Sequence, residues 1–158
     1  MKRSINARII ALTISLLLIA LPVMAAQRPF ALHGTGSASF ITDGAGNITG
    51  ATLIASGTAT HLGLWSAAGT LQFAPDPENS NQLLVSGGAT ITAANGDKLQ
   101  AVLANAVLDP ATGIGKGGIQ FVGGTGRFEG AGGSADFVVE QNLATGAFET
   151  TWIGNINF

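Results

Sequence analysis

Only two imidazoles occur in this chain, His33 and His61, and there is no cysteine or tyrosine. A histidine titrates near neutral pH, so these two are the side chains best suited to proton transfer or to switching between hydrogen-bond donor and acceptor. His61 lies in a Thr- and Ala-rich segment that reads as a strand, where alternation places Ala59, Gly63 and Trp65 on its own face. An imidazole and an indole side by side would line a ligand-binding lumen. The same pattern fits a histidine held by hydrogen bonds among core residues, and both readings stand at this point. His33 has no second histidine or carboxylate at metal-site spacing, so no zinc or iron site and no cofactor is expected. Glu140 and Glu149 come out opposite each other near a hairpin end, a solvated like-charge pair rather than a buried acid/base dyad. The glycine-dense run 123–133 lacks the G-x-x-x-x-G-K-[ST] order of a phosphate-binding loop and does not open a helix. No acid, base and nucleophile converge, and a non-catalytic protein is the expectation.

Charge and composition narrow the classes further. Lys2, Arg3 and Arg8 precede an uncharged apolar stretch, Ile9 to Leu21, which ends in Pro22 and small residues. That is the pattern of an export signal, with cleavage expected after Ala25 or, as the near alternative, after Ala26. The apolar stretch is shorter than the roughly 20 residues of a membrane-spanning helix. The expected organisation is therefore a signal peptide over 1–25 and a single domain over 26–158, secreted or periplasmic. The domain holds four Lys and Arg against nine Asp and Glu, a formal charge of −5, and its cations are scattered. Nucleic acid and anionic lipid are not expected partners. Without cysteine there are no disulfides, thiolate nucleophiles or thiolate metal sites, and stability must come from packing.

The elements that would position these residues are strands. Segments rich in Val, Ile, Thr and Phe alternate with turn signals at Asp43–Asn47, Pro75–Asn79, Asn95–Asp97, Asp109–Gly113 and Asn142–Gly146, and no 3.6-residue period is sustained. Strands are expected at 30–41, 48–56, 57–64, 68–74, 82–93, 98–108, 114–122 and 134–141, closed by a last one at 147–157. Two turns share the form Asx-x-Ala-Thr-Gly and imply hairpins of one geometry. In the second, pairing Asn142 with Ala147 sets Phe137 opposite Trp152, Val139 opposite Thr150 and Gln141 opposite Phe148. Phe137, Val139, Phe148 and Trp152 then share a core face, and Asp136, Glu140, Glu149 and Thr151 a wet one. In the first, pairing Asp109 with Ile114 sets Val102 opposite Phe121 and Ala104 opposite Ile119, with Asn105, Lys116 and Gln120 on the other face. Successive antiparallel hairpins favour closure, which removes exposed edges, so the expected fold is a small all-β antiparallel barrel of about eight strands, with a β-sandwich as the alternative.

Gly123, Gly124, Thr125, Gly126, Phe128, Ala131 and Gly133 resemble the GGTG-x-F-x-x-A-x-G signature of the dirigent and allene-oxide-cyclase barrel superfamily. Gly130 belongs to the same structural run. Segments 59–63 and 93–99 are similar to stretches of exported bacterial proteins that carry this signature. The resemblance implies a barrel, and it implies dimers or trimers built through outer faces. Where dirigent proteins carry an arginine, this chain has Gly132, so their radical-coupling chemistry is not carried over.

The functional expectation is an exported, non-catalytic barrel that takes a small apolar or aromatic ligand in its lumen, with His61, Trp65, Asn105, Phe121, Phe137 and Trp152 as candidate contacts. The alternatives are a dirigent-like or allene-oxide-cyclase-like isomerase that moulds a hydrophobic substrate, using His61 and Asn105 as its polar groups, and a cell-surface interaction protein.

Overall fold

The computed structural model describes residues 26–158, so the expected signal peptide lies outside the described residues. Eight antiparallel strands follow one another round a closed barrel: β1 (Arg28–Thr42), β2 (Ile48–Ala59), β3 (Gly63–Pro75), β4 (Leu83–Ala93), β5 (Lys98–Asp109), β6 (Ile114–Gly124), β7 (Gly132–Gln141) and β8 (Ala147–Asn157). β8 returns to β1, with Leu32 opposite Trp152 and Gly36 opposite Phe148. Closure leaves no free edge, and the sandwich alternative is excluded.

Alternation carries the fold. Along β1, Phe30, Leu32, Gly34 and Ala38 are buried, while His33, Thr35, Ser37 and Ser39 face water. A small residue at 34 is required by close approach: a β-carbon there would collide with the Trp65 ring and with the Ser56 carbonyl. The two Asx-x-Ala-Thr-Gly turns are alike in detail. Gly113 N–H donates to the Asp109 carbonyl at 2.8 Å and Gly146 N–H to the Asn142 carbonyl at 2.7 Å. Both glycines have positive φ, +74° and +76°, and each Asx side chain accepts from the backbone two residues on.

The strand expected at 57–64 does not exist. β2 ends at Ala59, the chain turns over Thr60–Leu62, and β3 starts at Gly63. The break is made by partners distant in sequence: Thr60 N–H donates to the Ala31 carbonyl at 2.9 Å and its hydroxyl accepts from Ala31 N–H at 2.9 Å. Leu62 then folds inward and is buried. The first hairpin also departs from its expected register. Asp109 does pair with Ile114, but Asn105 and Ala106 both sit opposite Gly117, and beyond this bulge Val102 faces Gln120 and Ala104 faces Gly118.

The two barrel ends differ. One is closed by the 60–62, 94–97 and 125–131 connections, and a buried cluster of Phe30, Leu62, Leu99, Phe121, Phe128 and Ile156 plugs it. The Phe30 and Phe121 rings meet edge to face at 4.8 Å between centroids, as do Phe128 and Phe158 at 5.1 Å. Toward the other end, ringed by the 43–47, 76–82, 110–113 and 142–146 loops, the inward residues Leu53, Leu71, Phe73, Val85, Val139 and Phe148 are only half-buried.

Candidate functional site

Between the plug and that second end the lumen holds a cavity of about 120 Å³. Trp65, Ile119, Phe137 and Trp152 line it where the plug stops, and the half-buried Leu53, Leu71, Phe73, Val85, Val139 and Phe148 line it toward the mouth. No lining residue is ionisable. The polar side-chain atoms in the wall are those of Thr150, Gln141 and the two indoles. An eight-stranded barrel is just wide enough for side chains to fill it or for one small ligand. Here the glycines and alanines of the wall (Ala38, Ala55, Ala67, Gly88, Ala89, Gly115) leave room that the aromatic rings do not take up.

The polar groups of the wall are unequal. Trp152 Nε1–H donates to the Thr150 hydroxyl at 2.9 Å, and that hydroxyl donates to the Val138 carbonyl at 3.1 Å. Trp65 is 5% exposed, and its Nε1 is the single buried side-chain polar atom without a hydrogen-bond partner among the described residues.

Three of the six candidate contacts read from the sequence, Trp65, Phe137 and Trp152, meet at this cavity. Phe121 does not reach it, because its ring is spent in the plug against Phe30. His61 is not on a strand face with Trp65. It occupies the β2–β3 turn at φ +65°, where its Nε2 lies 3.0 Å from the Pro29 carbonyl and its ring meets Phe158 edge to face. Asn105 is exposed on the barrel exterior at φ +51°, at the bulge opposite Gly117. His33 is also outside, with its ring nitrogens 3.4 Å from Glu149 Oε1 and 3.3 Å from Thr151 Oγ1. Sequence reasoning passed over Thr150 and Gln141 as site residues. The signal was present, since both share the inward parity of Phe137 and Trp152 in the correctly paired second hairpin.

The glycine run closes the barrel instead of facing the cavity. A 3-10 turn over Gly126–Phe128 links β6 to β7 and drives Phe128 into the plug, where it is fully buried. Thr125 ties the turn to β5: its N–H donates to the Lys98 carbonyl at 2.8 Å, and its hydroxyl accepts from Lys98 N–H at 3.0 Å. Asp97 ties it again, accepting the Arg127 backbone N–H at 3.3 Å, with the Arg127 Nε 3.7 Å away. The Asn95 side-chain amide, 2.7 Å from Asp97 Oδ2, is the main reason that this carboxyl is held below its ordinary value; the Arg127 N–H and guanidinium add to it. Gly123, Gly126, Gly130 and Gly133 all have positive φ.

Among solved structures, a pterocarpan synthase dirigent protein, GePTS1, superposes on this chain with a TM-score of 0.54, over 84% of this chain and 86% of that one. The fold is a closed eight-stranded barrel similar to that of the dirigent protein. At 15% identity the likeness extends to the fold alone. No protein-family model matches the chain, and no curated protein matches it.

Proposed function

We propose that this protein is an exported, non-catalytic dirigent-type barrel whose lumen binds a small apolar or aromatic molecule. The observation that carries the reading is the cavity beside Trp65, Phe137 and Trp152, walled by apolar side chains and by no ionisable one. Apolar protein cavities of ~150 Å³ accept a single benzene ring, so the guest is of about one-ring size with room to extend toward the mouth. The isomerase version that relied on His61 and Asn105 loses both polar groups, since neither lines the cavity. Export rests on the residue pattern of 1–25.

Both tryptophans of the chain line the cavity, so occupancy should change intrinsic fluorescence. Titration of the domain with a panel of small aromatic and aliphatic probes, followed by fluorescence and by calorimetry, is expected to show saturable one-to-one binding with a negative heat-capacity change. A flat response to the whole panel would reduce the protein to a structural module. N-terminal sequencing of the protein recovered outside the cytoplasm checks the export part and should begin at Ala26 or Gln27.

A further inference from the structure

We infer that Asn95 is a modification site: its side-chain amide closes on the Gly96 peptide nitrogen and is lost as ammonia, and the carboxylate that replaces it loosens the junction between the β4–β5 connection and the β6–β7 crossover. One sequence neighbour singles it out. Asn79, Asn95 and Asn142 make the same turn, in which the side-chain oxygen accepts the backbone N–H two residues on, at 3.1, 3.2 and 3.0 Å. The side-chain carbonyl of such a turn takes the place of a backbone carbonyl, which curls it back over the next peptide. Ser80 and Leu143 follow Asn79 and Asn142, and a side chain there shields the peptide nitrogen. Gly96 follows Asn95, is exposed, and would carry a β-carbon with no atom within 4 Å. No other Asn-Gly pair occurs in the chain.

The Gly96 nitrogen gives its proton to hydroxide and bonds to Asn95 Cγ, the Cγ–Nδ2 bond breaks, and the amide nitrogen takes a proton from water and leaves as ammonia. Water then opens the cyclic imide. Breaking the new Cγ–N bond leaves aspartate, and breaking the original peptide bond leaves an isoaspartyl link; the net change in both is amide plus water to acid plus ammonia. Gly96 N–H donates to the Ala93 carbonyl at 2.9 Å, so the folded turn must release it first and reacts more slowly than a free peptide.

The product matters because of what the amide holds. Asn95 Nδ2–H donates to Asp97 Oδ2 at 2.7 Å, and the same oxygen accepts the Arg127 N–H at 3.3 Å. An aspartate at 95 sets a second carboxylate against Asp97 in place of a donor, and like charges repel. The isoaspartyl form adds a methylene to the backbone and shifts Asp97 instead. Either way the crossover that carries Phe128 into the plug loses part of its anchor.

The intact domain is held at mildly alkaline pH, where hydroxide speeds the first step, and sampled for peptide mapping and thermal melts. The peptide with Asn95 should gain about 1 Da, the difference between NH2 and OH, while those with Asn79 and Asn142 do not. The melting temperature should fall by a few degrees in step with the conversion. Asn95→Asp should melt low from the start, and its gap to the parent should narrow as pH drops through the carboxylate range, because protonation removes the second charge. If the Asn95 peptide keeps its mass after a synthetic peptide of the same sequence has converted, the modification site is overturned. Conversion without a change in melting, or an Asn95→Asp variant that melts like the parent at pH 7, would overturn the link to the junction.

Discussion

The Asp97 carboxylate stands where a side chain on residue 126 would have to begin: a β-carbon built on Gly126 runs into Asp97 Oδ1 and Cγ. The same carboxylate accepts the N–H of Arg127, so the β4–β5 connection and the β6–β7 crossover grip each other at the plugged end. Gly126 also has φ +59°. Replacement by valine should therefore cost about 1–3 kcal/mol through both strain and displaced Asp97. Around Gly130, at φ +72°, the space is open, and a β-carbon added there would meet no atom within 4 Å. Its conformation, and not crowding, restricts it, so Gly130→Asn should be nearly neutral and Gly130→Val less harmful than Gly126→Val. Thermal melts of these variants give the order directly.

Acid should loosen the same junction. The Asp97 carboxyl is held below its ordinary value first by the Asn95 amide, then by the Arg127 N–H and charge. A depressed folded-state value means that the unfolded chain takes up the proton first as pH falls. The stabilisation is complete above the unfolded carboxylate value of about 4 and is lost as pH drops through the lower folded value. Asp43, held down chiefly by the Asn47 side chain, behaves in the same sense. Asp97→Asn should lower the melting temperature at pH 7, and the gap to the parent should shrink on acidification. A gap that persists unchanged to about pH 2, below the usual carboxylate range, would contradict this.

Thr150 is the buried hydroxyl that serves Trp152 and Val138 together. Thr150→Val keeps the shape and leaves the Trp152 N–H without its acceptor. Chemical denaturation should show a loss of about 1–3 kcal/mol, and the Trp152 N–H should exchange faster with deuterium.

Because His61 packs at the plugged end and not in the cavity, His61→Ala should leave the affinity of any lumen probe unchanged within a factor of two, as read by fluorescence titration. A large loss of binding would restore His61 to the site.

Asn105 holds the bulge at φ +51°. Asn105→Gly should be tolerated, whereas Asn105→Val should cost about 1–3 kcal/mol, because a β-branched residue is strained there. Denaturant midpoints of the two variants make the comparison.

What the chain determined by itself was local. Period-two alternation and two Asx-x-Ala-Thr-Gly turns sufficed to pair Phe137 with Trp152 and Val139 with Thr150, because turn chemistry and strand parity act over a few neighbouring residues. Mostly uncharged alternating segments between turns likewise sufficed for a barrel of eight antiparallel strands. The tertiary structure decided the rest. Nothing near Thr60 announces that its partner is Ala31, so the turn that removes His61 from the strand was hidden in a contact 29 residues away. The extra residue at Asn105–Ala106 follows from the pairing with Gly117 across the sheet, and one residue of slip was enough to replace Phe121 by Gln120 opposite Val102. Parity could mark Phe121, Phe137, Trp65 and Trp152 as inward-facing, but only closure of β8 on β1 sets their heights along the barrel. That closure put Phe121 into the plug, the other three at the cavity, and the Trp65 N–H beside no acceptor at all.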